Sequence, residues 1–350
     1  MLTKRIMTAA GYHAFRRALA LFCLGLLSAA CGSEAARAEP AETDSWNLVF
    51  HDLPAALLSV TGKSASDVWA VGAVLDDEAL VLHRDGQSWT RVRVHAKGDL
   101  WWTQVFDDGT LFIAGDRGTI VRGDGESFST LATPDPRATL YGIWGTDPES
   151  LWAVGTDGTN GVVWRSNGEG GFDAADVDPA LLEQTTLFKV WGRSADDVWM
   201  VGDQGRILHF DGQSVSASSS RTHVPLTTVH GTDTALYAVG GLGGSVILGL
   251  EQGQWLDLTP PGAPAVTGVF ARGDEAYVVG VFGEALERTG TGPFRRVETG
   301  LDLARDYHSV WIDEEGGVWA VGGHVNDAPL VQGLLSYAGP HPPPNRTPTL

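Results

Sequence analysis

The side chains able to do chemistry in this chain are those that break an otherwise repeating pattern. They are Trp101 and Trp102, Arg117, Arg137, Arg221 with His223, the run Arg305-Asp306-Tyr307, and His324. Arginine and tryptophan dominate binding hot spots, because each joins a large contact area to directed hydrogen bonding. An arginine group with a carboxylate and a tyrosine is also the raw material of glycan cleavage. Metal chemistry finds less support. No His, Cys and carboxylate spacing matches a zinc site. Asp107-Asp108-Gly109 and Asp76-Asp77-Glu78 lack an EF-hand pattern and read as solvated acidic turns. His83 and His209 precede a recurring turn at the same spacing, which points to a structural role such as a turn hydrogen bond. No catalytic residue, metal or cofactor is assigned.

These residues fall between copies of one unit. An aromatic-x-x-Gly pattern ends at Gly72, Gly115, Gly155, Gly202, Gly240, Gly280 and Gly322, at intervals of 38 to 47 residues. The aromatics are Trp69, Phe112, Trp152, Trp199, Tyr237, Tyr277 and Trp319, each preceded by an apolar residue. Seven to nine residues upstream stands a β-branched column: Val60, Val105, Ile143, Val190, Val229, Val269 and Val310. Each unit reads as four short strands. Strand A is a Val-Trp-Gly-like run, strand B holds the aromatic, and strand C leads into Asp-Gly or Asn-Gly turns suited to type I′ hairpins. Strand D often opens with an aromatic, as at Trp89, Phe128, Phe172, Trp255 and Phe294. Four strands in about 40 residues are the mark of a propeller blade.

The last unit lacks a strand D, because prolines follow Ala338-Gly339. Its equivalent stands at the start, where Ser45-Trp46 parallels Ser88-Trp89. The sequence therefore predicts an all-β, seven-bladed β-propeller of four-stranded antiparallel blades over 45–339, with the N-terminal strand closing the last blade. A disordered proline-rich tail is expected over 340–350. The D–A and B–C loops share one face around the channel mouth, and the candidate residues above belong to those loops. Function in such a fold lives on loops where the blades differ.

The start of the chain reads as a processing segment. Lys4, Arg5, Arg16 and Arg17 precede an unbroken apolar run over 18–27, then Ser28-Ala29-Ala30 and Cys31. This is the order of a secretory signal peptide, and the apolar run is too short to span a bilayer, which takes about 20 residues. Of the 2 Cys, Cys23 would leave with the leader, so the mature chain can form no internal disulfide. Residues 1–30 are thus expected to be removed, and 31–44 to form a flexible tether. With 24 Lys and Arg against 43 Asp and Glu, net −19, the chain is unsuited to electrostatic binding of nucleic acid or to a polybasic membrane contact.

Two resemblances add to this reading. Ala29-Ala30-Cys31 resembles a bacterial lipobox, which implies lipidation of Cys31, and Gly32 in place of aspartate favours the outer membrane in a cell with two membranes. The runs SASDVWAVG with LHRDGQSW, and SADDVWMVG with LHFDGQSV, resemble repeats of bacterial secreted propellers grouped with Asp-box and photosystem II assembly-factor-like proteins. The Asp-box itself is not met, since Asp85-Gly86-Gln87-Ser88-Trp89 lacks a residue between Asp and Gly, and there is no WD-type Gly-His and Trp-Asp pattern. The expected function is a membrane-anchored, non-enzymatic binding scaffold of the bacterial envelope. It is expected to be monomeric and to meet a protein or carbohydrate partner through one loop face. A sialidase-like glycoside hydrolase and an assembly factor for an envelope complex are the alternatives.

Overall fold

The computed structural model describes residues 46–241, 244–344, 348 and 350. The leader, Cys31, the tether and Ser45 lie outside the described residues, as do 345–347 and 349 of the tail.

Seven four-stranded antiparallel sheets stand in a ring. In each the strands follow in the order A-B-C-D, and the A strands pack against one another around the axis, that of blade 7 against that of blade 1. Blade 1 shows the pattern: Leu57–Ser64, Asp67–Leu75, Glu78–Arg84 and Trp89–Arg91. The ring closes as predicted. Asn47–Leu53 is the fourth strand of blade 7, paired with Val331–Ala338 in the register Asn47 to Tyr337 and Phe50 to Leu335.

The repeated aromatics of strand B are the mortar between blades. Trp69, Trp152, Trp199 and Trp319 are each 6% exposed or less. In four blades the strand-D aromatic of the next blade meets the strand-B aromatic edge-on: Phe128 on Trp69 at 6.1 Å, Trp255 on Trp199 at 5.5 Å, Phe294 on Tyr237 at 5.5 Å, and Trp89 on Trp319 at 6.1 Å across the closure. Each such pair adds about 0.5–1.5 kcal/mol beyond its buried area. Strand C supplies a partner over the ring. His83 stacks on Trp69 at 4.0 Å while its Nε2 meets Asp67 at 2.7 Å, and His209 repeats this on Trp199 and Asp197 at 3.9 and 2.8 Å. Both histidines are therefore structural, tied to the strand-B aspartate rather than to the turn.

Two local expectations are corrected. In the C–D turns only the glycines, such as Gly86 and Gly212, have positive φ; Asp85 and Asp211 do not. The aspartate carboxylate instead accepts the next two N–H groups, those of Gln87 and Ser88 on Asp85 at 2.9 and 2.8 Å, so these are Asx-type turns rather than type I′. In blade 2 the β-branched column is held by Thr103, paired with Ile113, and Val105 lies at the end of the strand opposite Leu111.

The glycine that ends each strand B has a steric cause. A Cβ on Gly72 would collide with the carbonyl oxygen of Ala56, and one on Gly322 with that of Asp306. The neighbouring A strand comes this close because it bulges there.

Candidate functional site

All seven A strands carry a β-bulge opposite that glycine, one residue entering between the two ladder pairs. The inserted residues are Leu58, Trp101, Tyr141, Phe188, Thr227, Thr267 and His308. They lie near the D–A end of the channel and touch from blade to blade. Trp101 meets Tyr141 at 5.0 Å, Tyr141 meets Phe188 at 5.6 Å, and Trp101 meets His308 at 6.0 Å. Thr227 Oγ1 donates to Thr267 O at 2.8 Å, Thr267 Oγ1 to Tyr307 O at 2.7 Å, and His308 Nδ1 to Leu58 O at 2.5 Å. A bulge releases its side chain from the ladder and re-aims it. The ring thus sets Trp101, Tyr141 and Phe188 side by side and completes itself with Thr227, Thr267, His308 and Leu58, on a scaffold that is uniform around the axis.

Next to it lies Lys189, 3% exposed. Its Nζ donates to Tyr141 O at 2.7 Å and sits 4.4 Å over the Trp102 ring. Burial pushes its pKa down to about 7. Burial lowers His308 to about 3, and the charge of Lys189 adds to that shift. Acidic groups surround the mouth. Asp116 Oδ1 accepts the Trp101 indole N–H at 3.0 Å and the Thr139 hydroxyl at 3.2 Å. Burial holds the Asp99 carboxyl above the ordinary range, with the Asp116 charge adding to it, and burial also raises Asp203.

Outside the mouth, three B–C turns share one geometry. Arg117, Gln204 and Phe282 each follow the strand-B glycine by two residues, have φ of 59°, 55° and 56°, and precede a glycine. Non-glycine residues seldom adopt this left-handed backbone. It turns Phe282 outward, and with 73% exposure Phe282 is the most exposed large apolar side chain among the described residues.

The sequence-predicted residues divide against this frame. Trp101 is in the ring. Trp102 is inside the channel, with Lys189 against its face. Arg117 is exposed on its turn tip. Arg221 and His223 are exposed together beside a hollow of about 480 Å³ that Gln204 and Arg206 also line. Three of the four arginines are held by separate partners: Arg137 chelates Asp135 at 3.0 and 2.9 Å, Arg221 reaches Gln254 at 3.2 Å, and Arg305 holds Asp52 and Gln332. Asp306 accepts the Phe282 N–H at 2.9 Å and the Asn326 amide. Tyr307 corrects the expectation that it lies on the loop face. It is fully buried at the ladder position before the bulge, and its hydroxyl donates to Ser336 at 2.8 Å. His324 is exposed at the end of its strand. Tyr141, Phe188, Lys189, His308 and Phe282 were not picked out by the sequence reading. Their one available signal was variation in type 13 or 14 residues before, or two after, a strand-B glycine.

The ring of blades and its mouth define the class: a seven-bladed β-propeller. No protein-family model matches the chain, and no curated protein matches it in sequence. Solved structures do match in fold. A structure of YCF48 bound to D1 peptide superposes with TM-score 0.64 at 16% identity, covering 85% of this chain and 97% of that one. A virginiamycin B lyase from Staphylococcus aureus with quinupristin gives 0.65 at 12%, covering 84% and 99%. The WD40 propeller domain of Doa1 gives 0.63 at 13%, covering 84% and 97%.

Proposed function

We propose that this protein is a non-enzymatic binding scaffold, held by a lipid on Cys31 at the outer membrane of a bacterial envelope, that takes a polypeptide partner at the D–A/B–C mouth. The observation that carries this reading is the ring of bulge residues with Trp101, Tyr141, Phe188 and His308, flanked by the outward Phe282. Aromatic groups gathered at a channel mouth are the usual anchors of an interface. The similar YCF48 structure, a propeller of the same size holding a peptide, supports a polypeptide rather than a glycan. A glycan-cleaving role gains no support, because Asp306 is engaged by Phe282 and Asn326 and Tyr307 is sealed in the core.

Site-specific photo-crosslinking tests the mouth. A photoreactive phenylalanine analogue at Phe282 should give discrete polypeptide adducts in cells, and the same analogue at Leu256, on an outer strand, should give none. Equal labelling at both positions, or none at Phe282, would overturn the reading. Cys31→Ser should move the protein from the detergent to the aqueous phase, and unchanged partitioning would remove the anchor from the proposal.

A further inference from the structure

The other end of the channel is built differently. Three residues after each bulge, opposite the strand-B aromatic, five consecutive blades supply Trp144, Trp191, His230, Phe270 and Trp311. Blades 1 and 2 supply Thr61 and Gln104. The aromatic rings follow one another around the wall: Trp144 to Trp191 at 6.4 Å, Trp191 to His230 at 5.3 Å, and His230 on Phe270 at 4.0 Å. Trp144 packs over Gly192 of the next blade and Trp311 over Gly62, which holds these rings in place. Between them and Trp102 lies a cavity of about 220 Å³. That is below the volume range typical of drug-sized ligands.

The lining tells what fits. None of its side chains is charged: His230 accepts the Ala271 N–H on Nδ1 at 3.1 Å, and burial lowers its pKa to about 3. It holds no carboxylate, and both ends of the Gln104 amide are taken by the Gly145 backbone at 2.9 and 3.1 Å. A primary amine would find no carboxylate partner there. The rim is the reverse of neutral. The seven A–B turns (62–67, 105–111, 145–150, 192–197, 231–236, 271–276 and 312–318) carry 13 carboxylates against Lys63, Arg193 and Arg272; of the 13, Asp313 is buried and Asp67, Asp197 and Glu149 are paired with His83, Arg193 and Arg122. Two of those cations are occupied, Arg193 by Asp197 at 2.8 Å and Arg272 by Ile312 O at 3.2 Å. A quaternary ammonium needs no hydrogen-bond acceptor and is attracted to aromatic faces. A mouth ringed by carboxylates raises the local concentration of cations. We infer that the A–B end of the channel is an aromatic cage for a small quaternary ammonium cation.

The test is calorimetric titration of the full-length protein with choline chloride and with its uncharged isostere, 3,3-dimethylbutan-1-ol, at low and high salt. Choline should bind about tenfold more tightly than the isostere, as expected for a desolvated cation–π contact, and its affinity should fall as salt rises. Trp191→Leu should lower it by about tenfold. Should that variant not fold, Phe270→Leu removes one π-face at similar volume, and Asp107→Asn with Asp108→Asn, on exposed turn residues, should weaken binding and flatten its salt dependence. Equal affinity for choline and the isostere, no binding of choline, or binding that survives these substitutions unchanged would overturn the assignment.

Discussion

Replacing Lys189 with methionine should make the propeller more stable at neutral pH. The amine is 3% exposed, and burial lowers its pKa from 10.5 to about 7. At 1.36 kcal/mol per pKa unit, that shift disfavours the charged, folded form by about 5 kcal/mol. Methionine has nearly the same length, fills the same volume and brings no charge. Its cost is the Tyr141 carbonyl, which loses the donor now at 2.7 Å and is worth about 1–2 kcal/mol. The net gain for Lys189→Met at pH 7 is therefore about 3 kcal/mol. The pH dependence has a definite sign. Between the folded pKa near 7 and the unfolded 10.5 the unfolded chain binds more protons, so wild-type stability rises with pH through that window and carries a constant penalty below it. The advantage of the variant should be greatest at pH 7 and below, and gone near pH 10.5. Urea denaturation of both proteins across this range measures it. A variant less stable than wild type at pH 7, or a stability gap that stays constant between pH 7 and 10, would refute the reasoning.

His230 and His308 are both lowered to about 3 by burial, so the unfolded chain binds more protons below about pH 6.5 and stability should fall as pH drops from there toward 3. Thermal melts should show that slope, and His308→Gln should reduce it. Deleting 46–50 should open the ring and lower the melting temperature sharply, because Phe50 is fully buried against Trp89 at 5.6 Å. Phe50→Ala alone should cost about 3–5 kcal/mol through the cavity it leaves, read as a shift in the urea midpoint.

The blades were legible because packing is periodic. Seven strand-B aromatics and seven glycines do the same work in every unit, so they recur, and the missing strand D of the last unit revealed the closure. The mouth was less legible for the same reason. A bulge adds one residue and shifts the face on which the following side chains point, and neither Trp101 nor His308 announces that shift. Tyr307 was placed in a loop because it follows Arg305-Asp306, yet it occupies the core position held by Leu57, Leu100 and Leu140 elsewhere. Lys189 was passed over inside a Val-Trp-Gly-like strand, since burial of a lone ammonium depends on what the neighbouring blades place around it. Of the three turn tips only Arg117 stood out; Phe282 escaped because its positive φ is a property of the backbone that a sequence without a glycine at that position conceals.

The clasp between Asn47–Leu53 and Val331–Ala338 also sets an order of events. During vectorial synthesis, the first strand of the fold emerges before six complete blades and the hairpins of the seventh, and its partner is the last strand made. Until then Asn47–Leu53 has no partner strand, and the newest blade has no neighbour on its open side. Its closure depends on the longest loop in the chain, an entropic cost that grows only slowly with loop length but delays the reward until the end. A chain arrested before residue 331 is thus an unclosed arc whose free edges can pair with another copy. The same strand that completes the finished ring leaves the unfinished one prone to exchange strands between molecules.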